Sequence, residues 1–306
     1  MVNFIMIAVC IIAGMIFKAT NSIHPDAHKG INTWILYIAL PAVSLKYIPQ
    51  IEWSDQMLFP ILGSVITYFG STIFMKFYSK AKHYTRHSES ALILSSAFSN
   101  TSFIGFPLIM AFFNESLIKI AIICDQSMFI LLSTVGIIAA VKGTHNKTAV
   151  ISPKYIVKKL VTFPPFIGCI AALILSRFVN IKEGTLAYEF FDKLAATVGP
   201  LALFSVGLQL KFNGWRKQII QIAMTQFYKL LIAPAIVLVI ALCFHMKGDI
   251  PKITVFECAM PTLVTASIIA EQYKLNTRLV NLIIGLSIII AFATSALWFE
   301  IVQRIF

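Results

Sequence analysis

Charge is what this chain has least of. Asp, Glu, Lys and Arg together make up 12% of its 306 residues, about half of the roughly 25% that a water-soluble domain carries. A soluble surface cannot be assembled from that supply. Acidic residues are the scarcer kind, 13 against 25 Lys and Arg. Cysteine is sparse too. Cys10, Cys124, Cys169, Cys243 and Cys258 all fall inside apolar runs with no CxxC among them, which argues against a disulfide scaffold or a thiolate metal site. GxSxG, HExxH, a Walker loop and a paired-carboxylate motif are missing as well, and with them the usual enzyme chemistries. The chain is therefore read as a non-enzyme with no cofactor and no metal. Any uphill work must draw on an ion gradient or on the substrate's own gradient. The formal net charge of +12 would suit nucleic acid, but no Lys/Arg run lies on a polar, aromatic-studded surface, so nucleic acid is set aside as a partner.

What the chain has is apolar length: 58% hydrophobic residues and a mean hydropathy of +0.83. A membrane helix needs about 20 mostly apolar residues, and the sequence divides into ten such blocks, at 2–19, 31–49, 57–78, 89–112, 117–141, 160–180, 190–210, 218–245, 253–272 and 276–302. The first block lacks the basic flank of a secretory signal and is read as a span rather than a cleaved peptide. The longest gap, 142–159, is read as a cytoplasmic linker between two five-block halves, 1–141 and 160–306. With the N-terminus outside, the gaps assigned to the cytoplasm hold about twice as many Lys and Arg as the outer ones. Both termini are thus expected to be extracytoplasmic in a multi-pass plasma-membrane protein.

The halves echo each other. Pro41 of the second block pairs with Gly199-Pro200 of the seventh, and Pro107 of the fourth with Pro261 of the ninth, each about half a chain apart. An odd number of spans per half inverts the second half, and inverted repeats with interrupted helices are a mark of secondary transporters. Proline removes a backbone donor and glycine weakens a helix. The freed peptide groups cannot face lipid, so they must be buried in protein or line a watered cavity. Asn100, Thr101 and Ser102, followed by Phe103, Gly105 and Pro107, put polar side chains where such a break is expected. With Pro261, Thr262 and Thr265 of the ninth block they form the candidate substrate site, and Pro41, Gly199 and Pro200 are candidate kinks.

Two ionisable residues lie deep in apolar blocks: Lys229 in the eighth and Asp125 in the fifth. Charge inside a membrane is functional by default, and each is the other's most economical partner. A purely structural ion pair, or residence in separate watered clefts, stays open at this point. Glu257 and Glu271 bracket the ninth block and Glu300 is near the end of the tenth, so all three are expected to be solvated. His24 and His28 have metal-ligand spacing, but Pro25 between them favours a solvated loop.

Leu40-Pro41, Asn100-Thr101-Ser102-Phe103-Ile104-Gly105-Phe106-Pro107, Gly199-Pro200-Leu201-Ala202-Leu203-Phe204, Lys229-Leu230 before Pro234, and Ala259-Met260-Pro261 occur in that order. In this the chain resembles the auxin efflux carrier family, which includes plant auxin carriers and bacterial malate and malonate permeases. The resemblance implies an all-α fold of ten transmembrane helices in a five-plus-five inverted repeat, with helices four and nine broken and crossing. It implies a scaffold of spans one, two, six and seven, with the other helices forming a mobile, elevator-type transport domain. Asp125 and Lys229 would lie beside the crossing, as ion carrier and charge compensator. The long cytoplasmic loop of the larger plant carriers is absent, which favours small carboxylates such as malate or malonate over auxin. The expected partners are a small organic anion, H+ or Na+ as coupling ion, and the lipid bilayer, with a homodimer left open. The alternative is a cation/proton antiporter with Asp125 as the carrier.

Overall fold

The computed structural model describes residues 2–144, 153–178, 181, 183–210 and 214–306; the 145–152 stretch of the 142–159 linker, which includes Lys147, lies outside them, as do Lys182 and Lys211. Among the described residues the chain is all helix, with one isolated antiparallel bridge, Ser99 to Thr262. Six helical stretches are long and apolar enough to cross a membrane: Ala27–Gln50, Asp55–Ala81, Glu115–Gly143, Leu186–Gln209, Trp215–Cys243 and Thr277–Ile305. Pro153–Val161 and Pro164–Leu175 make a seventh if counted as one span, bent by 66°. That bend falls where Pro164 and Pro165 open the second helix, since proline fits a helix's first turn but not its interior. Shorter helices occupy the remaining apolar blocks. The first is Val2–Ala19, the fourth block holds Arg86–Ala97 and Phe106–Phe112, and the ninth holds Asp249–Cys258 and Thr265–Gln272.

The chain resolves into two compact units, each drawn from both halves of the sequence. The first comprises Met1–Ser54, Ser102–Ile122 and Lys158–Leu210. In it, Val2–Ala19 packs along Val198–Gln209 at backbone contact. A Cβ on Gly14 would strike the Phe204 carbonyl, and one on Gly207 would strike the Ile11 carbonyl. Small residues bring helices this close in lipid, where dispersion rather than water exclusion drives association. The outer stripe of Val2–Ala19, with Ile5, Val9, Ile12 and Ile16 all more than half exposed, is what a lipid-facing helix presents.

The second unit comprises Asp55–Thr101, Ile123–Val157 and Lys211–Phe306. Its apolar core gathers Met75, Leu92, Ile93, Tyr228, Ala233, Leu279 and Ile283. Two of its helices carry the local features that shape the site. Arg86–Ala97 begins where Thr85 Oγ1 accepts from the Ser88 N–H, and it ends at an extended Phe98. Near that end Ser95 and Ser96 hydroxyls bond back to Ala91 and Leu92 carbonyls, each at 2.8 Å, a habit that loosens helices. In Trp215–Cys243, Phe227–Ile232 is a π-helical turn, with the Ala233 N–H reaching back to the Tyr228 carbonyl. Pro234 follows and cannot donate to Leu230, and Trp298 Nε1 takes that carbonyl instead at 2.7 Å. The widened turn carries Lys229.

Candidate functional site: two helix breaks that cap each other

The fourth block breaks at Ser99–Asn100, several residues ahead of Pro107. Proline does not make this break. Pro107 sits in the first turn of Phe106–Phe112, after a π turn over Thr101–Gly105. The ninth block breaks at Pro261 itself. A helix end leaves peptide groups without partners, and in this unit each break supplies the other's. The Asn100 N–H donates to the Pro261 carbonyl at 2.8 Å, and the Leu263 N–H to the Phe98 carbonyl at 3.0 Å. The Thr262 hydroxyl donates to the Ser95 carbonyl at 2.7 Å, and the Thr262 N–H to Ser287 Oγ at 3.2 Å. The result is a two-residue scrap of antiparallel sheet between interrupted helices.

Lys229 is fully buried against this crossing. Its ammonium donates to Ser99 Oγ at 2.5 Å and to the Cys258 carbonyl at 3.1 Å. The second partner is the last residue of Asp249–Cys258, where helix dipoles present partial negative charge. Lys229 thus compensates a helix C-terminus at the crossing. Asp125 lies close by, its carboxylate accepting from the Thr101 hydroxyl at 2.6 Å and from Gln126 Nε2 at 3.4 Å. Asn100 is wholly buried, and neither its side-chain oxygen nor its nitrogen has a hydrogen-bond partner among the described residues. A buried amide left this way costs free energy unless something else satisfies it.

The structure brings Asn100, Thr101, Asp125, Lys229, Pro261 and Thr262 into one unit and joins them through the bonds above. Thr265 is half-buried and opens the Thr265–Gln272 helix. Ser102, Phe103, Gly105 and Pro107 belong to the other unit. There Pro107 lies beside Gly199, whose added Cβ would meet its Cγ at 4.0 Å. Pro200 follows in the first turn of Val198–Gln209, and Pro41 opens Leu40–Tyr47 after a π turn over Ile35–Ala39.

Two groups escaped the sequence reading. Glu257, expected to be solvated, is 1% exposed. The ninth block begins earlier than hydropathy suggested, at Asp249, and this carries Glu257 a further turn into the bundle. Lys46, near the end of the second block, is buried in the first unit between Glu115 and Asp192, each at 2.5 Å, and Tyr47 donates to the same Glu115 carboxylate. A cleft of about 280 Å³ lined by Val43, Tyr47, Phe106 and Glu115 adjoins it.

Multiple apolar spans, helices interrupted inside the bundle and a buried ammonium at the interruption together describe a polytopic membrane protein of the transporter kind. A family profile described as Membrane transport protein matches residues 1–299, and the chain belongs to that family, the auxin efflux carriers. It is similar to the uncharacterized transporter MJ1031 of Methanocaldococcus jannaschii, 22% identical with 96% of each chain covered. It is also similar to the uncharacterized transporter YfdV of Escherichia coli, 24% identical over 97% of this chain and 95% of that one. A proposed malonate transporter of Rhizobium meliloti is 24% identical over 82% of this chain and 79% of its own.

Proposed function

We propose that this protein is a secondary transporter of small organic anions, of the malate or malonate class, working by elevator-type alternating access. The observation that carries the reading is the pinned pair of helix breaks with Lys229 and the unpartnered Asn100 side chain at their junction. The open Asn100 side-chain amide and the Lys229 ammonium, both buried, suit a carboxylate without dedicated arginine forks. Asn100, Thr101, Ser102, Phe103, Gly105, Pro107, Pro261, Thr262 and Thr265 line the substrate path in this reading, and Asp125 with Lys229 balances charge. The ten spans form a five-plus-five inverted repeat, 1–141 and 160–306, in the plasma membrane with both termini outside. Each compact unit draws on both halves, as an interleaved repeat requires. One unit also gathers the first, second, sixth and seventh blocks, which fits a scaffold against which the other moves, with Pro41, Gly199 and Pro200 as its kinks. The relative named for malonate supports the substrate class.

The test is uptake of labelled malate and malonate into proteoliposomes, with and without a proton gradient. Uptake by the wild-type protein that Lys229→Met abolishes is expected, and equal uptake by both removes Lys229 from the mechanism. Cation flux that is pH-dependent, lost in Asp125→Asn and indifferent to organic anions would replace the proposal with a cation/proton antiporter.

A further inference from the structure

Glu257 is the one acid at the crossing to which the proposed function gives no task. It is 1% exposed, and neither carboxylate oxygen has a hydrogen-bond partner among the described residues. It stands in the last turn of Asp249–Cys258, where the aligned peptide dipoles oppose a second negative charge. Its surroundings oppose one too. The titratable groups coupled to it are Asp125 and Cys124 on Glu115–Gly143, Lys229 on Trp215–Cys243, and its neighbour Cys258. The helices packed on Asp249–Cys258 are Phe59–Ala81, Ala233–Cys243 and Thr277–Ile305. They keep their charges, Lys76, Lys80, Arg278, Glu300 and Arg304, toward their ends, and Tyr68 donates to the Val135 carbonyl. Lys229 is the sole nearby cation among these groups, and two of its three ammonium hydrogens are held by Ser99 and the Cys258 carbonyl rather than by Glu257.

The charges can be counted. Two ionised carboxylates and one ammonium leave the crossing one negative charge in excess, in a medium where uncompensated charge is costly. Binding an organic anion would deepen that excess. A single proton removes it, and the two acids are not equal candidates to take it. Asp125 already has both carboxylate oxygens engaged, by the Thr101 hydroxyl and by Gln126 Nε2. Glu257 has neither engaged among the described residues.

We infer that Glu257 is the coupling-proton site of the carrier, protonated when the anion is loaded and deprotonated when the anion leaves. The carboxylate takes the proton from hydronium on one side, whose O–H bond breaks as the Glu257 O–H forms, and returns it on the other, where the Glu257 O–H breaks as a water takes the proton. The inference rests on the carrier reading and names its coupling ion.

The experiment uses purified full-length protein in two assays. In proteoliposomes holding a pH-sensitive dye, labelled malonate is driven either by a pH gradient or by a sodium gradient. Wild type is expected to accumulate malonate on the pH gradient while the interior acidifies. Glu257→Gln is expected to lose accumulation while retaining exchange of labelled for unlabelled malonate. Accumulation driven by sodium with no pH gradient, or by the pH gradient equally in both proteins, overturns the inference. The second assay is an infrared pH titration of the carboxylic-acid C=O stretch, which reads proton binding whether or not malonate is a substrate. A band that disappears as pH rises, present in wild type and absent from Glu257→Gln, supports the site, and identical titrations overturn it. A wild type that moves no malonate counts against the carrier reading alone, because the titration still decides Glu257. If Glu257→Gln does not fold, Glu257→Asp takes its place. A displaced band with a displaced pH profile supports the site, and no displacement of either overturns it.

Discussion

Replacing Lys229 by Met keeps the length and bulk of the side chain while removing its charge, so it separates what the ammonium does for the fold from what it does for transport. Two hydrogen bonds vanish, to Ser99 Oγ and to the Cys258 carbonyl. Bonds to a charged group contribute about 1.5–3 kcal/mol each, so the loss is about 3–6 kcal/mol. Against it stands the cost of holding a wholly buried ammonium, several kcal/mol that Met does not incur. The two nearly cancel at a pH low enough for Asp125 and Glu257 to take up protons once their cation is gone, and there Lys229→Met is expected to unfold within about 2 kcal/mol of wild type. Lys229→Ala would add a cavity penalty of about 2–5 kcal/mol, on the scale of other large-to-small core changes, and would confuse the comparison. Exchange of labelled malonate across proteoliposomes, measured beside chemical denaturation in mild detergent, reads both quantities. The expected outcome is a stable protein that no longer exchanges. A Lys229→Met protein destabilised by more than about 4 kcal/mol would refute the balance just worked, and one that exchanges normally would refute the functional role.

Three further outcomes follow from the packing. Thr262→Val keeps the shape but orphans the Ser95 carbonyl, and should cost about 1–3 kcal/mol in denaturant unfolding while Thr262→Ser costs little. Trp298→Phe removes the donor that replaces Pro234 at the Leu230 carbonyl, and a loss of similar size, about 1–3 kcal/mol, is expected in the same assay. Gly207→Ala drives a methyl group into the Ile11 carbonyl, and separating those helices should lower the thermal midpoint by the equivalent of about 1–3 kcal/mol. A Gly207→Ala protein as stable as wild type would show that the two helices can part freely.

The sequence disclosed the membrane class and the long apolar spans, because apolar length leaves a mark in one dimension, and the misplaced polarity of Asn100, Thr101, Pro261 and Lys229 singled out residues that the structure draws into one unit. It set the break of the fourth block beside Asn100 but credited it to Pro107. Pro107 is the louder signal, yet a proline in a first turn is tolerated, and the quieter run of Ser95, Ser96, Ser99 and Asn100 marks the real interruption. Pairing was harder to read. Lys229 answers a helix terminus and a serine, groups that composition counts as neutral. Glu257 was misplaced by an error of a single turn in a helix boundary, which is enough to move a carboxylate from water to the interior.

The mutual capping of the two breaks has a consequence for how such a chain could arise and be dissected. Ser95 to Asn100 lies in the amino-terminal half and Pro261 to Leu263 in the other, and each holds the peptide groups that the other lacks. A gene fragment encoding either half would put bare amides into hydrocarbon and be degraded, whereas two complementary fragments made in one cell could rescue each other. By the same reasoning, an ancestor lacking one of the two segments would have had to find those peptide partners on a second chain.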